Sequence, residues 1–146
     1  MKTESKYSIS RYSSIFLIIT IFFDFSIYFY SGIDKLVHFD QFIINFGRSP
    51  FAPTKFLSET GAIVVIIEIG LSMLLFIKRA RKLTLFILAG LSLIFTIYIL
   101  LMITYSPSLP CSCGGIVSFL NWNEHLILTI YLTASSFYAA LIPENY

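Results

Sequence analysis

Residues 83–105 read LTLFILAGLSLIFTIYILLMITY, an uncharged run that begins directly after Arg81-Lys82 and ends before Pro107. A hydrocarbon core of about 30 Å takes about 20 apolar residues to cross as an α-helix, so this run is long enough to span a bilayer. Working outward, three more stretches have the same character: roughly Ser13–Tyr30, Leu57–Ile77 and Trp122–Ile142. Of the 146 residues 57% are hydrophobic and 12% charged, and the mean hydropathy is +0.83. That balance excludes an ordinary soluble domain. It fits an all-α integral membrane protein, one domain built as a bundle of four transmembrane helices in a lipid bilayer. The basic start (Lys2, Lys6, Arg11) resembles that of a signal peptide, but the first span is too long for a signal h-region and lacks a small-residue cleavage site. The expectation is a retained helix.

Orientation follows from Lys and Arg, which collect on the cytoplasmic side. Lys2, Lys6 and Arg11 precede the first span, and Lys78, Arg79, Arg81 and Lys82 fill the tight connection between the second and third. The opposite side carries only Lys35, Arg48 and Lys55. Both termini are therefore expected in the cytoplasm, with the first and third loops facing outward, into the periplasm if the membrane is a bacterial inner membrane. The net charge of +2 is accounted for by this asymmetry and is no sign of nucleic-acid binding.

In the first outer loop, between Gly32 and Phe56, Phe39, Phe42, Ile43 and Phe46 recur at i, i+3, i+4, i+7, with Asp40, Gln41 and Asn45 off that stripe. The spacing predicts a short amphipathic helix lying in the membrane interface, either capping the bundle or docking a partner. Ser49-Pro50-Phe51-Ala52-Pro53 ends it. Asn121 followed by Glu124 reads as a capping box opening the last span, with Trp122 as an interfacial anchor.

The outward loop before that span contains Pro110-Cys111-Ser112-Cys113-Gly114-Gly115, with the only two cysteines of the chain. A disulfide across one residue closes a minimal ring, which constrains the unfolded chain little and is prone to strain. Such bonds are labile and suit exchange chemistry better than stapling. His125, one turn into the last span, has two readings: base for a thiol, or an ordinary interfacial side chain. Lys35 beside Asp34 reads as a local ion pair, or as a cation near the cysteine loop that favours thiolate. His38 reads as interfacial. Two thiolates in C-x-C together with one or two histidines would suit Cu(I) or Zn(II), but no second C-x-C or C-x-x-C supplies four ligands, and His38 and His125 are far apart in sequence. No Ser-His-Asp pattern supports hydrolysis.

Asp24 and Glu68 lie near the middles of the first and second spans, at similar depth in antiparallel helices and with no Lys or Arg in any predicted span to pair with them. Each continues a polar or small-residue stripe: Thr20, Asp24, Tyr28 and Ser31 on one span, Gly61, Val65, Glu68 and Ser72 on the other. A third stripe joins His125, Thr129, Thr133 and Ser136. Intramembrane carboxyls turn inward and, without a cation, hold their protons. They read as helix–helix glue, or as a proton path or hydrogen bond to a quinone headgroup.

Taken in order, Tyr30-Ser31-Gly32-Ile33-Asp34-Lys35-Leu36, Ser49-Pro50-Phe51, Glu68-Ile69-Gly70-Leu71, the Cys-Ser-Cys-Gly-Gly run and Asn121-Trp122-Asn123-Glu124-His125 resemble the MauE branch of the DoxX-like membrane proteins over nearly the whole chain. Many members of that branch carry Arg or Lys where this chain has His125. The resemblance implies a four-helix membrane protein, redox-associated and involved in methylamine utilisation, that works with a periplasmic thioredoxin-fold partner. The expected function is a thiol–disulfide relay through Cys111 and Cys113, with Glu68 and Asp24 near a membrane acceptor such as a quinone. A single cysteine pair leaves no second pair to relay electrons inward. The alternatives are a non-enzymatic docking or assembly subunit and a metal-binding membrane protein.

Overall fold

The structure, a computed structural model, describes the backbone of residues 2–48, 55–105 and 121–142 and the side chains from Tyr12 onward. Among these residues every regular element is a helix: α1 (Lys2–Val37), α2 (Phe39–Gly47), α3 (Leu57–Leu74), α4 (Lys78–Tyr105) and α5 (Trp122–Leu141). Three are long and apolar enough to cross a membrane: α1 from Tyr12 to Val37, α3 and α4. α5, with 20 residues, has the length, but Asn123, Glu124, His125 and several hydroxyl residues make it more polar than the other three.

Burial is inverted relative to a water-soluble protein. Ile18, Phe22, Ile66, Ile94 and Ile127 are exposed, whereas Asp24, Lys35, Glu68, Ser72, Ser92 and Ser136 are buried. Lipid as the surrounding solvent accounts for both halves of this pattern: apolar groups outside cost nothing, and polar groups must find partners inside.

α1 continues two turns past its expected end at Tyr30. Gly32, the one weak helix former there, is where α1 meets α3: a Cβ at this position would lie 2.6 Å from Ile69 Cγ1. Asp34 and Lys35, expected in the outer loop, therefore ride on the helix. α3 in turn stops at Leu74, short of Ile77, and Arg81 Nε donates to the Leu75 carbonyl at 3.0 Å, satisfying a group freed at that end. The basic cluster expected in a loop thus forms the first turns of α4.

α2 matches the stripe read from the sequence, with Phe42 buried and Asp40 and Gln41 exposed. Asn45, expected off that face, is buried, and its Oδ1 accepts from Gln41 Nε2 at 3.4 Å. The capping box forms at α5, where the Asn121 N–H donates to Glu124 Oε2 at 2.9 Å.

The helices pair as α1 with α3 and α4 with α5, and the two pairs touch each other more lightly. A dry core of Leu17, Ile21, Leu71, Leu75, Leu85, Leu88, Ala139 and Ala140 joins them at the end that carries the α3–α4 turn. Ser72, Thr84, Ser135 and Ser136 are buried near this core, whereas Ser31, Lys35 and Asn45 are buried or half-buried towards the opposite end, where α1 and α4 finish and α5 begins.

Candidate functional site

Continuation of α1 brings Lys35 to the level of Glu68 on the adjoining helix. Lys35 Nζ lies 2.8 Å from both Glu68 Oε1 and Oε2 and donates to Ser31 Oγ at 2.6 Å. An ammonium has three protons, so all three are engaged. The pair is buried, with Lys35 7% and Glu68 1% exposed. The Phe42 ring of α2 covers the ammonium, its centroid 5.9 Å from Nζ, at the outer limit of a cation–π contact.

This corrects two expectations. Glu68 does have a cation, and its separation from one in the sequence reading came from ending the first span too early. Lys35 does not pair with Asp34, which instead places Oδ1 3.3 Å from Nδ1 of the exposed His38. Asp24 and Glu68 are also bound to different groups rather than to each other: Ser136 Oγ of α5 donates to Asp24 Oδ2 at 2.7 Å. Asp24 Oδ1 has no hydrogen-bond partner among the described residues. Between these two carboxyls, Tyr28 Oη shares a hydrogen bond with Ser92 Oγ and lies 3.3 Å from the Leu88 carbonyl, which ties α1 to α4.

Above this layer, between the two helix pairs, lies a cavity of about 310 Å³. Its polar rim comprises Ser31, Lys35, Glu68, Tyr28, Ser92, His125 and Thr129, and the rest of its wall is aliphatic or aromatic, including Phe42, Phe46, Phe95, Tyr98 and Trp122. Thus Lys35, Glu68 and His125, singled out separately in the sequence, face one space, whereas Asp24 is not part of its wall. Cys111 and Cys113 lie outside the described residues, in the segment between Tyr105 and Asn121. Among the described residues no three His, Asp or Glu side chains gather as a metal site.

The sequence reading missed the Lys35–Glu68 pair, the Tyr28–Ser92 link and the aromatic wall. A signal for the first was present: Asp24, Tyr28, Ser31 and Lys35 follow one another at helical spacing, so the polar stripe on α1 extends one turn further than its predicted end.

Helices with lipid-facing apolar surfaces and ionisable groups turned inward define a multi-pass helical membrane protein. The sequence profile described as methylamine utilisation protein MauE matches residues 12–142, and the chain belongs to the MauE family. Comparisons with curated proteins and with solved structures found no match.

Proposed function

We propose that this protein is a thiol–disulfide relay of the bacterial inner membrane, serving methylamine utilisation. Cys111 and Cys113 exchange with a periplasmic thioredoxin-fold partner. A partner thiolate attacks the Cys111–Cys113 disulfide, a mixed disulfide forms, and its resolution leaves the partner oxidised and both cysteines as thiols. Two electrons and two protons then pass from the thiols to an acceptor dissolved in the membrane. The observation that carries this reading is the placement of the chain's only cysteines, one residue apart, in the segment that joins α4 to α5. That segment starts and ends at the end of the bundle that holds the Lys35–Glu68 pair and the cavity.

In this reading α5 is the fourth span. Its hydroxyl residues Thr129, Ser135 and Ser136 are buried, while Ile127, Ile130, Phe137, Tyr138 and Leu141 are exposed, so its polar composition is turned away from lipid. The excess of Lys and Arg near the N-terminus and at the start of α4 then puts both termini in the cytoplasm and the cysteine segment in the periplasm. α2 lies along the outer interface.

The test is the state of the two thiols in intact cells, read by acid quench and alkylation with a mass-tagged maleimide. A fraction oxidised at rest, and reversibly shifted by mild reductant, is expected. If the Cys111→Ser/Cys113→Ser protein restores growth on methylamine to a deletion strain, the relay is wrong and an assembly or docking subunit takes its place.

A further inference from the structure

We infer that the cavity between the two helix pairs binds the headgroup of an isoprenoid quinone; this deepens the relay reading by naming its membrane acceptor. Size comes first. About 310 Å³ is at the lower end of the range for small-molecule sites, roughly 300–1,000 Å³, and admits a single ring rather than a fused cofactor.

Charge decides the class of ligand. The Lys35 ammonium is neutralised by both oxygens of Glu68, so an anionic headgroup would have to pull it away from its partner. A cation would compete for carboxylate oxygens already occupied, in surroundings that penalise a broken pair. A plain acyl chain would set hydrocarbon against the polar rim formed by Ser31, Lys35, Glu68 and His125. What fits is a neutral, flat molecule with acceptors on its edge. One carbonyl accepts from His125. The other accepts from Lys35 in place of Ser31, without disturbing the ion pair.

The wall suits such a ring. Phe42 and Phe46 stack with centroids 5.8 Å apart and present aromatic surface on one side. The cavity also has a way out to lipid: Ile94 belongs to its wall and is 63% exposed on the outer face of α4, which gives an apolar tail a path into the bilayer. In the redox step, Cys111 and Cys113 lose two electrons and two protons as their sulfur–sulfur bond forms. The quinone gains both and becomes quinol.

Trp122 is the chain's only tryptophan and lines the cavity, so its fluorescence reports occupancy. Oxidised ubiquinone with a two-isoprene tail, titrated into the full chain in nanodiscs, is expected to quench Trp122 saturably. The same saturation is expected in Cys111→Ser/Cys113→Ser, since binding does not need the thiols. Val64→Phe and Leu128→Phe, which fill the cavity from opposite helix pairs, are each expected to weaken binding at least tenfold; having both guards against one that fails to fold. Quenching that rises linearly with quinone in the lipid, or wild-type affinity in both folded filling variants, overturns the site. The two proposals separate when reduced protein is given quinone and alkylated. Saturable binding with thiols that stay reduced keeps the site and removes the relay. Thiols oxidised by quinone, in a protein whose filling variants bind as tightly as wild type, keep the relay and remove the site.

Discussion

Lys35 of α1 grips both carboxylate oxygens of Glu68 on α3 at 2.8 Å, and the pair is shielded from solvent between two helices whose outer faces are apolar. Two charges so placed are costly to desolvate, and they persist because each fully answers the other, with Ser31 taking the remaining ammonium proton. The pair therefore fixes how α1 and α3 sit against each other and, through that, the shape of the cavity wall above Tyr28.

Removing one partner should hurt more than removing both. Lys35→Met or Glu68→Leu alone leaves an uncompensated buried charge, and the expected loss is about 3–5 kcal/mol. The double variant exchanges the pair for packed apolar groups and should recover more than half of that loss. Thermal unfolding of the purified protein in detergent, compared across the four proteins, checks this; additive losses would mean that the two side chains do not depend on each other.

The close approach of the same helices has a second requirement. A Cβ on Gly32 would stand 2.6 Å from Ile69 Cγ1 and 3.4 Å from Glu68 Cβ. Gly32→Ala should therefore push α1 off α3 at a cost of about 1–3 kcal/mol, typical of an overpacked contact. Adding Ile69→Ala removes the obstructing carbon, so the double variant should unfold at a higher temperature than Gly32→Ala alone. A double variant no better than the single would place the strain elsewhere.

How much of this could be read beforehand depends on the range of the interaction concerned. The capping box at Asn121 and Glu124 was legible because both halves lie within one turn. The stripe of Phe39, Phe42, Ile43 and Phe46 was legible because one face of one short helix decides it. Asn45 was misread because its burial depends on how α2 lies against α3, a tertiary fact. The Lys35–Glu68 pair was hidden by a boundary: no proline or capping residue marks the end of α1, and lipid-facing Ile33 and Leu36 continue the helix beyond the most apolar stretch. The cavity had no sequence signal, since its wall is assembled from residues of α1, α2, α3, α4 and α5 that are far apart in the chain.

The proposed orientation can be read chemically. In a background with Cys111→Ser and Cys113→Ser, a cysteine introduced as Arg79→Cys, at an exposed position in the first turn of α4, should resist a membrane-impermeant maleimide until cells are permeabilised. The native cysteines, once reduced, should react from outside. The reverse pattern would invert the topology derived from the Lys and Arg distribution and place the cysteines in a reducing compartment.

Exchange chemistry predicts a trapped partner. Thiol–disulfide exchange passes through a mixed disulfide, which the second cysteine normally resolves. Cys111 is taken as the partner-facing residue because Cys113 is followed by Gly114-Gly115 and the return towards α5. With Cys113→Ser, Cys111 has no disulfide of its own to offer, but its thiolate can attack the disulfide of the oxidised partner, the reverse of the working step. No Cys113 thiol is there to displace the partner again, so a covalent adduct through Cys111 should accumulate in cells and separate on reduction. Cys111→Ser should accumulate far less, since its remaining thiol is not the one that faces the partner. Non-reducing electrophoresis followed by mass spectrometry of the shifted band reads both and identifies the partner. Equal adducts from the two variants would show that either sulfur is reachable and remove the assignment of roles. Adducts from neither, in cells where the wild-type thiols cycle, would mean that the cysteines exchange electrons with something other than a protein disulfide.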